Sequence, residues 1–387
     1  MARASRGSGR GGGARIRRPL KILLGILAVL LILVLLNAFA LDNETGSAEL
    51  TIPEAQLVET TSGQLQVLDT GGPATGGGLP VVLVHGSAGA INWWDELVPL
   101  LERDRRVIAV DMLGYGGSNK PDSDYSIETQ ANLIAQVMAK LDVSRAVIVG
   151  HSLGGKVVTS LAEQSPDLVA GIAVIDTAPD NSFGGLTGGA RATKVPLVGQ
   201  ALWRIAPDFM VRRNVAQGFA PGFDVPQKYV DDVRAMTYPA YKESAARSDD
   251  YTGEKGLVER LTEIAKPLLV IFGERDQIYD AREALSTYAA IPGVQTLLIP
   301  GSGHSPQVEA PEKTADAITS FANGIEARER AAARAEAEAK AKERTKARAR
   351  AKARARAKAR ARARAKAKTR AKARAQARAK AKNKART

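Results

Sequence analysis

Cysteine is absent from all 387 residues. That excludes disulfides and thiolate metal sites, and it is compatible with either side of a membrane. Histidine is scarce, occurring only at His85, His151 and His304. A search for an imidazole general base therefore has three candidates at most. The chain also lacks a phosphate-cradling glycine loop, a dinucleotide fingerprint and any His/carboxylate spacing suited to a metal. Neither a cofactor nor a metal is expected. Acidic residues are missing from one end and rare at the other. Residues 1–21 hold seven basic side chains and no acidic one, and residues 326–387 hold 26 basic against 5 acidic. The stretch between them carries 22 basic and 36 acidic residues. The net charge of +14 thus describes two appendages, not the acidic body.

The appendages differ in kind. Residues 1–19 are rich in Gly and Arg, have few apolar side chains to offset chain entropy, and are expected to be disordered. Leu20 to Leu41 is apolar except for Lys21 and Asn37. As a helix it spans roughly 33 Å, slightly more than a hydrocarbon core of about 30 Å. The preceding basic cluster, with Asp42 and Glu44 following, predicts a cytoplasmic N-terminus and an extracytoplasmic body. The length of the run favours an uncleaved signal anchor over residues 20–41. Ala38-Phe39-Ala40 resembles a cleavage site, so secretion after signal removal stays open.

The body reads as strands alternating with helices. Gln64 to Leu68 alternates as a half-buried strand does. Val81–Val84, Arg106–Val110, Ala146–Val149, Gly171–Ile175, Pro267–Phe272 and Val294–Ile299 are apolar runs of strand length. Helices are expected at Ile91–Glu102, Ile127–Leu141, Ala281–Ala290 and Glu312–Phe321, and directly after Ser152. Continuous apolar strands alternating with helices imply a mostly parallel sheet covered on both faces. The rhythm breaks over residues 181–265. That stretch is first Gly-rich and then helical, at Leu202–Phe209, Gln227–Met236 and Tyr238–Ala246. It is expected to cap the strand C-termini, with the first part of the core at 42–180 and the second at 266–325.

Chemistry concentrates at Gly150-His151-Ser152-Leu153-Gly154. This is a G-x-S-x-G pattern between a strand and a helix, the context a nucleophile elbow requires. Gly150 and Gly154 remove side chains that would clash with a serine held at so sharp a turn. Serine needs a base, and the base needs an orienting acid. His151 is confined within the elbow, and His85 ends an earlier strand and is expected to hold its loop. His304 lies in a Gly-rich loop after the last strand and is the candidate base. Asp276 follows the penultimate strand and is the candidate acid, with Asp176 as its rival. The backbone N–H groups of Ser87 and Leu153 are the candidate oxyanion donors. Asp111 is expected to order the loop that ends at Ser118, and at least one of Trp93 and Trp94 to be core.

Taken together, the His85-Gly86 loop, Asp111 to Ser118, the Gly150–Gly155 elbow, Gly273 to Asp276 and Gly303-His304 resemble the α/β-hydrolase superfamily over residues of about 50–325. The resemblance is to its capped, single-domain branch. It implies an eight-stranded, mostly parallel sheet and an enzyme that cleaves a carboxylic ester through Ser152, His304 and Asp276. The same branch holds C–C bond hydrolases, amidases and perhydrolase-like enzymes, and these stay open as alternatives. Its dehalogenases and epoxide hydrolases use Asp as nucleophile, and Ser152 argues against both. A non-catalytic tethering protein with a vestigial body is the remaining alternative.

From Ala339 the chain alternates Ala with Lys or Arg almost strictly. On a helix, two-residue steps wind charge around every face, so no apolar stripe forms. A disordered or fluctuating helical tail is expected over residues 326–387. The pattern resembles basic tails of DNA-compacting and linker-histone proteins. With the body outside the cytoplasm, an anionic envelope polymer or lipid headgroups become the expected partner. Nucleic-acid binding would be nonspecific, because the tail holds no aromatic side chains for stacking.

Overall fold

In a computed structural model of the chain, residues 14–72, 77–184 and 195–384 are described. The chain divides after Ile325 into two units. Helix α1 spans Ala14–Asp42, and its stretch Pro19–Asp42 contains 18 consecutive residues with a mean hydropathy of 3.0, long and apolar enough to cross a membrane. The helix begins earlier than the apolar run. Once a helix is nucleated, Arg-rich residues extend it at little cost. Residues 14–19 are therefore helical, which corrects the expectation of disorder there. Residues 1–13 lie outside the described residues.

Eight strands among the described residues form one sheet. They are β1 (Ala55–Thr60), β2 (Gly63–Asp69), β3 (Val81–Val84), β4 (Val107–Val110), β5 (Ala146–His151), β6 (Val169–Ile175), β7 (Leu268–Gly273) and β8 (Gln295–Ile299). Their order is β1-β2-β4-β3-β5-β6-β7-β8. β2 pairs antiparallel with β1 and β4, and every later pairing is parallel. Strands β3 to β7 are buried along their whole length. Their apolar side chains alternate between two cores, as the two-residue period of a strand requires. Val82, Val84, Ile148 and Val270 face one core with Ile134 and Leu161. Val81, Leu83, Val147 and Ile271 face the other with Trp94, Ile318 and Phe321. This doubly covered sheet accounts for apolar runs that show no amphipathic alternation.

The helices follow the sequence with three corrections. Ile91–Glu102 is not one helix but a 3₁₀ turn, Ile91–Trp94, followed by α2 (Val98–Leu101). Pro99 has no N–H to donate backwards, so the first turn cannot continue through it. α3 (Ile127–Lys140) starts as read, with the Ser126 hydroxyl accepting from the Thr129 N–H at 3.2 Å. α4 (Leu153–Gln164) follows the elbow. Between β6 and β7 lie α5 (Val198–Ile205), α6 (Asp208–Val215), α7 (Gln227–Ala235), α8 (Tyr238–Glu254) and α9 (Leu257–Ile264). The helix expected over Leu202–Phe209 is thus two helices, broken at Pro207 for the same reason as above. The Gly-rich residues 185–194 lie outside the described residues. After β7 come α10 (Ala281–Tyr288), α11 (Pro306–Glu309) and α12 (Pro311–Lys384). The closing helix expected at Glu312–Phe321 is part of this longer element. Residues 326–384 are helical, and of the two states expected for the tail the helical one is present. Residues 327–381 are all exposed, so no side chain there packs a core.

One buried acid tests the packing around α7. Asp232 is 6% exposed and accepts from Asn92 Nδ2 at 2.9 Å. Burial pushes its pKa up to about 7 against the Asn92 hydrogen bond. Between about pH 4 and pH 7 the native state then holds a proton that the unfolded chain has lost. Stability falls as pH rises through that window. Asp232→Asn keeps the acceptor and removes the titration. It is expected to melt at least about 4 °C above the wild type at pH 8 and to lose that advantage at pH 4. Parallel thermal melts across that range check this, and a difference independent of pH would refute it.

Candidate active site

The site is built where β5 turns into α4. Ser152 has φ 51° and ψ −115°, a backbone region that non-glycine residues rarely occupy. Its own N–H donates to Ile175 O on β6 at 2.8 Å, which pins the turn to the neighbouring strand. A Cβ on Gly150 would lie 2.2 Å from Gly154 O, and one on Gly154 would lie 2.2 Å from Val84 O. Both glycines are therefore required by close approach. Ser152 is half-buried and lines a cavity of about 700 Å³.

The loops after β7 and β8 bring Asp276 and His304 together. His304 Nδ1 lies 2.8 Å from Asp276 Oδ2, and the His304 and Asp276 side chains are 4% and 0% exposed. Asp276 Oδ1 accepts from the N–H groups of Ile278 and Tyr279 at 2.7 and 3.3 Å. Burial opposes ionisation of Asp276. The imidazole and the two amides outweigh it and hold the pKa below the usual carboxylate range. An ionised Asp276 holds the proton of His304 on Nδ1 and leaves Nε2 as an acceptor. His304 lines the same cavity as Ser152.

Asp176 is close but differently engaged. It is fully buried, and its Oδ1 accepts from the Gly273 N–H at 3.0 Å. Burial and the charge of Asp276 raise its pKa well above the usual value. Asp176 therefore stays protonated, and the carboxylate in contact with His304 is Asp276.

The other two histidines have structural partners. His151 Nε2 donates to the His304 carbonyl at 2.7 Å, and burial lowers its pKa to about 3. His85 Nε2 accepts from the Met112 N–H at 3.1 Å, and its Nδ1 lies 2.8 Å from Gly86 O. Asp111 accepts from Ile91 N, Gly117 N and Gln66 Nε2 at 2.7, 2.8 and 2.7 Å, which ties its loop down as expected. Trp94 is core, while Trp93 lines the cavity and stacks on Phe219 at 5.4 Å.

Ser87 and Leu153 both line the cavity. Their backbone N–H groups have no acceptor among the described residues. Sequence reasoning missed Tyr279. Its ring meets His304 edge-on at 5.3 Å, and it borders the same cavity. Burial and Asp276 keep its phenol protonated, so it can donate. Lys156, one turn beyond the elbow, was also missed. It is buried at the cavity wall, and its Nζ donates to Ser248 O and Thr252 Oγ1, each at 3.0 Å.

Residues 81–317 match the family model described as the alpha/beta hydrolase family. The chain belongs to the α/β-hydrolase family. A protein of Mycobacterium tuberculosis is 32% identical over 273 residues, covering 66% of this chain and 78% of the relative. The 2-hydroxymuconate semialdehyde hydrolase of Pseudomonas sp. (strain CF600) is 27% identical over 261 residues, covering 64% and 88%. A solved esterase from Thermogutta terrifontis is 26% identical with a TM-score of 0.56, covering 70% of this chain and 99% of its own. Both basic appendages of this α/β-hydrolase lie outside the residues that match the family model.

The Asp276–His304 contact can be checked without turnover. A proton held between two such groups gives a strongly downfield imidazole N–H resonance. It is expected in the wild type and in Asp176→Asn, and lost in Asp276→Asn. Persistence in Asp276→Asn would assign the contact to another carboxylate.

Proposed function

We propose that the protein is a membrane-anchored serine hydrolase that cleaves a carboxylic ester through an acyl-enzyme. The observation that carries this reading is the 2.8 Å His304–Asp276 contact at the cavity that Ser152 enters from a strained turn. Ser152 Oγ attacks the acyl carbonyl while His304 Nε2 takes its proton. The oxygen that becomes negative is held by the N–H groups of Ser87 and Leu153, each worth roughly 3–4 kcal/mol in such sites. His304 then passes the proton to the departing alcohol. Water, deprotonated by His304, releases the acid and restores Ser152. Asp276 keeps the imidazole in the needed tautomer throughout, and Asp176, being neutral, adds no second charge. Tyr279 packs the outer edge of the imidazole.

Helices α5 to α9 serve as the cap that shapes the cavity. α1 serves as the anchor, with the N-terminus cytoplasmic and the body outside. The tail 326–387 serves as an electrostatic contact for anionic polymers or headgroups. A second reading is C–C bond hydrolysis on the same three residues. The match to a 2-hydroxymuconate semialdehyde hydrolase over 88% of that enzyme's length favours keeping it.

Ser152→Ala is expected to abolish labelling by a fluorophosphonate and to lower kcat on a short-chain ester by about 10⁴-fold or more. Asp276→Asn should cost about 10⁴-fold in kcat, and Asp176→Asn less than about tenfold. Labelling that persists in Ser152→Ala would remove the serine from its role. Deleting 326–387 is expected to leave ester turnover intact and abolish retention on an anionic polymer. A topology reporter placed after residue 325 is expected to read extracytoplasmic.

A further inference from the structure

Outside α1, the exposed large apolar side chains among the described residues are unevenly placed. Apart from Leu50, all of them fall in residues 195–210. They are Val195, Leu197, Val198, Ile205, Phe209 and Met210, with Ile205 and Phe209 more than 70% exposed. A concentration of this kind is uncommon on a soluble surface and marks a contact with a membrane or a partner.

The same segment is fastened to the end of α1. Gln200 Nε2 donates to both oxygens of Asp42 at 3.0 and 3.2 Å, and Arg204 pairs with Glu44 at 2.7 Å. Ala38 and Leu41 are buried, whereas Leu20 to Leu36 are exposed. The span is thus held by protein only at its last turn. Asp42 closes that span, so an anchored α1 would set the residues bonded to it at headgroup depth. α5 is about 12 Å long at 1.5 Å per residue. The headgroup zone of one leaflet is roughly 5–8 Å thick. The segment therefore cannot stand far from lipid while these contacts hold. Arg213 is exposed one helical turn beyond Phe209, where a long cationic side chain can reach the phosphates.

The third observation links this surface to the site. Leu202, Trp203, Ala206, Met210 and Val211, from the same two helices and the link between them, line the cavity that holds Ser152 and His304. We propose that segment 195–210 seats in the lipid interface beside its own anchor, so that the cavity takes its acyl substrate from the leaflet, as an amphiphile with a hydrocarbon chain. This rests on the membrane-anchored hydrolase reading above and goes beyond it in naming the bilayer as the source of substrate. A fixed anchor keeps lipid at high local concentration, so even a modest apolar contact is occupied.

The absence of cysteine makes the test direct. Full-length Leu31→Cys and Phe209→Cys chains each carry one thiol for a fluorescent label. They are reconstituted in phosphatidylcholine/phosphatidylglycerol vesicles whose lipids bear nitroxide quenchers at shallow or deep positions. The label at 31 should be quenched best by deep nitroxides, and the label at 209 by shallow ones. Quenching at 31 but not at 209 overturns the proposal and leaves the anchor standing. No quenching at 31 overturns the anchor and the proposal with it. Self-quenching at 209 that rises with protein density, without lipid quenching, assigns the patch to a second copy and overturns it too.

Turnover gives the second arm. Ile205→Glu combined with Phe209→Glu should keep kcat/KM on a soluble short-chain ester within about twofold. It should lower turnover of a long-chain ester embedded in the vesicles at least tenfold, given the apolar area removed from lipid. Unchanged vesicle turnover overturns the proposal. Loss on both substrates signals a damaged fold, and the labelled chains then decide.

Discussion

The turn at Ser152 is the constraint to which the rest of the body answers. A side chain at φ 51° is held there only if its surroundings over-determine it. The restraints are visible. β5 is paired on both sides, with β3 and with β6, and the Ser152 N–H is taken by Ile175 O. α4 begins at once, and its first turn presses so closely on β3 that only glycine fits at 154. A central position in a parallel sheet supplies this rigidity, and an edge strand would not. β3 and β5 lie next to each other in the sheet, and the strand-to-helix step of one puts Leu153 beside the loop that follows the other. Two amides left without acceptors at one cavity follow from that adjacency, whatever side chain stands at position 87.

Burial of a second carboxylate near the first looks costly until their protonation states are separated. Two ionised carboxylates in an apolar site repel, so one keeps its proton. Asp276 has three donors, and Asp176 has one backbone amide. The proton goes to the poorer site. His304 consequently faces a single negative charge, enough to orient it and to stabilise its protonated form. His151 completes the arrangement. Its ring holds the carbonyl of His304 and, being neutral, adds no cation beside that imidazole.

The fold was legible in the sequence because a parallel sheet covered on both faces forces uninterrupted apolar strands. Val81–Val84 and Ala146–Val149 could hardly be anything else. The elbow was legible because two glycines flank a serine at the one point where strand passes directly to helix. Loop position favoured Asp276 over Asp176 in the sequence without excluding the rival, since both follow strands that lead toward the His304 loop. The count of donors around each distinguishes them in the folded chain. Pro99 and Pro207 carried a legible break that the amphipathic pattern outweighed. Tyr279 gave no signal of its own. It reaches the imidazole because the amide at 279 caps Asp276, and that geometry belongs to the folded loop. The surface at 195–210 was hidden for another reason. Its apolar residues fit an ordinary amphipathic helix, and nothing in their spacing says that they lack a core to face.

The two apolar-to-basic contrasts in the chain obey opposite rules. α1 is apolar on every side, a composition whose backbone is satisfied internally and whose surface suits hydrocarbon. The tail is charged on every side. Ala, Arg and Lys are among the strongest helix formers, which explains a helix without a packed face. The two-residue repeat also sets like charges four apart along most of its length, and such pairs oppose the helix. Acid–base pairs occur only in its first part, as at Glu326–Arg330, Glu336–Lys340 and Glu343–Lys346. Beyond Glu343 the tail holds no acidic residue to offset that repulsion.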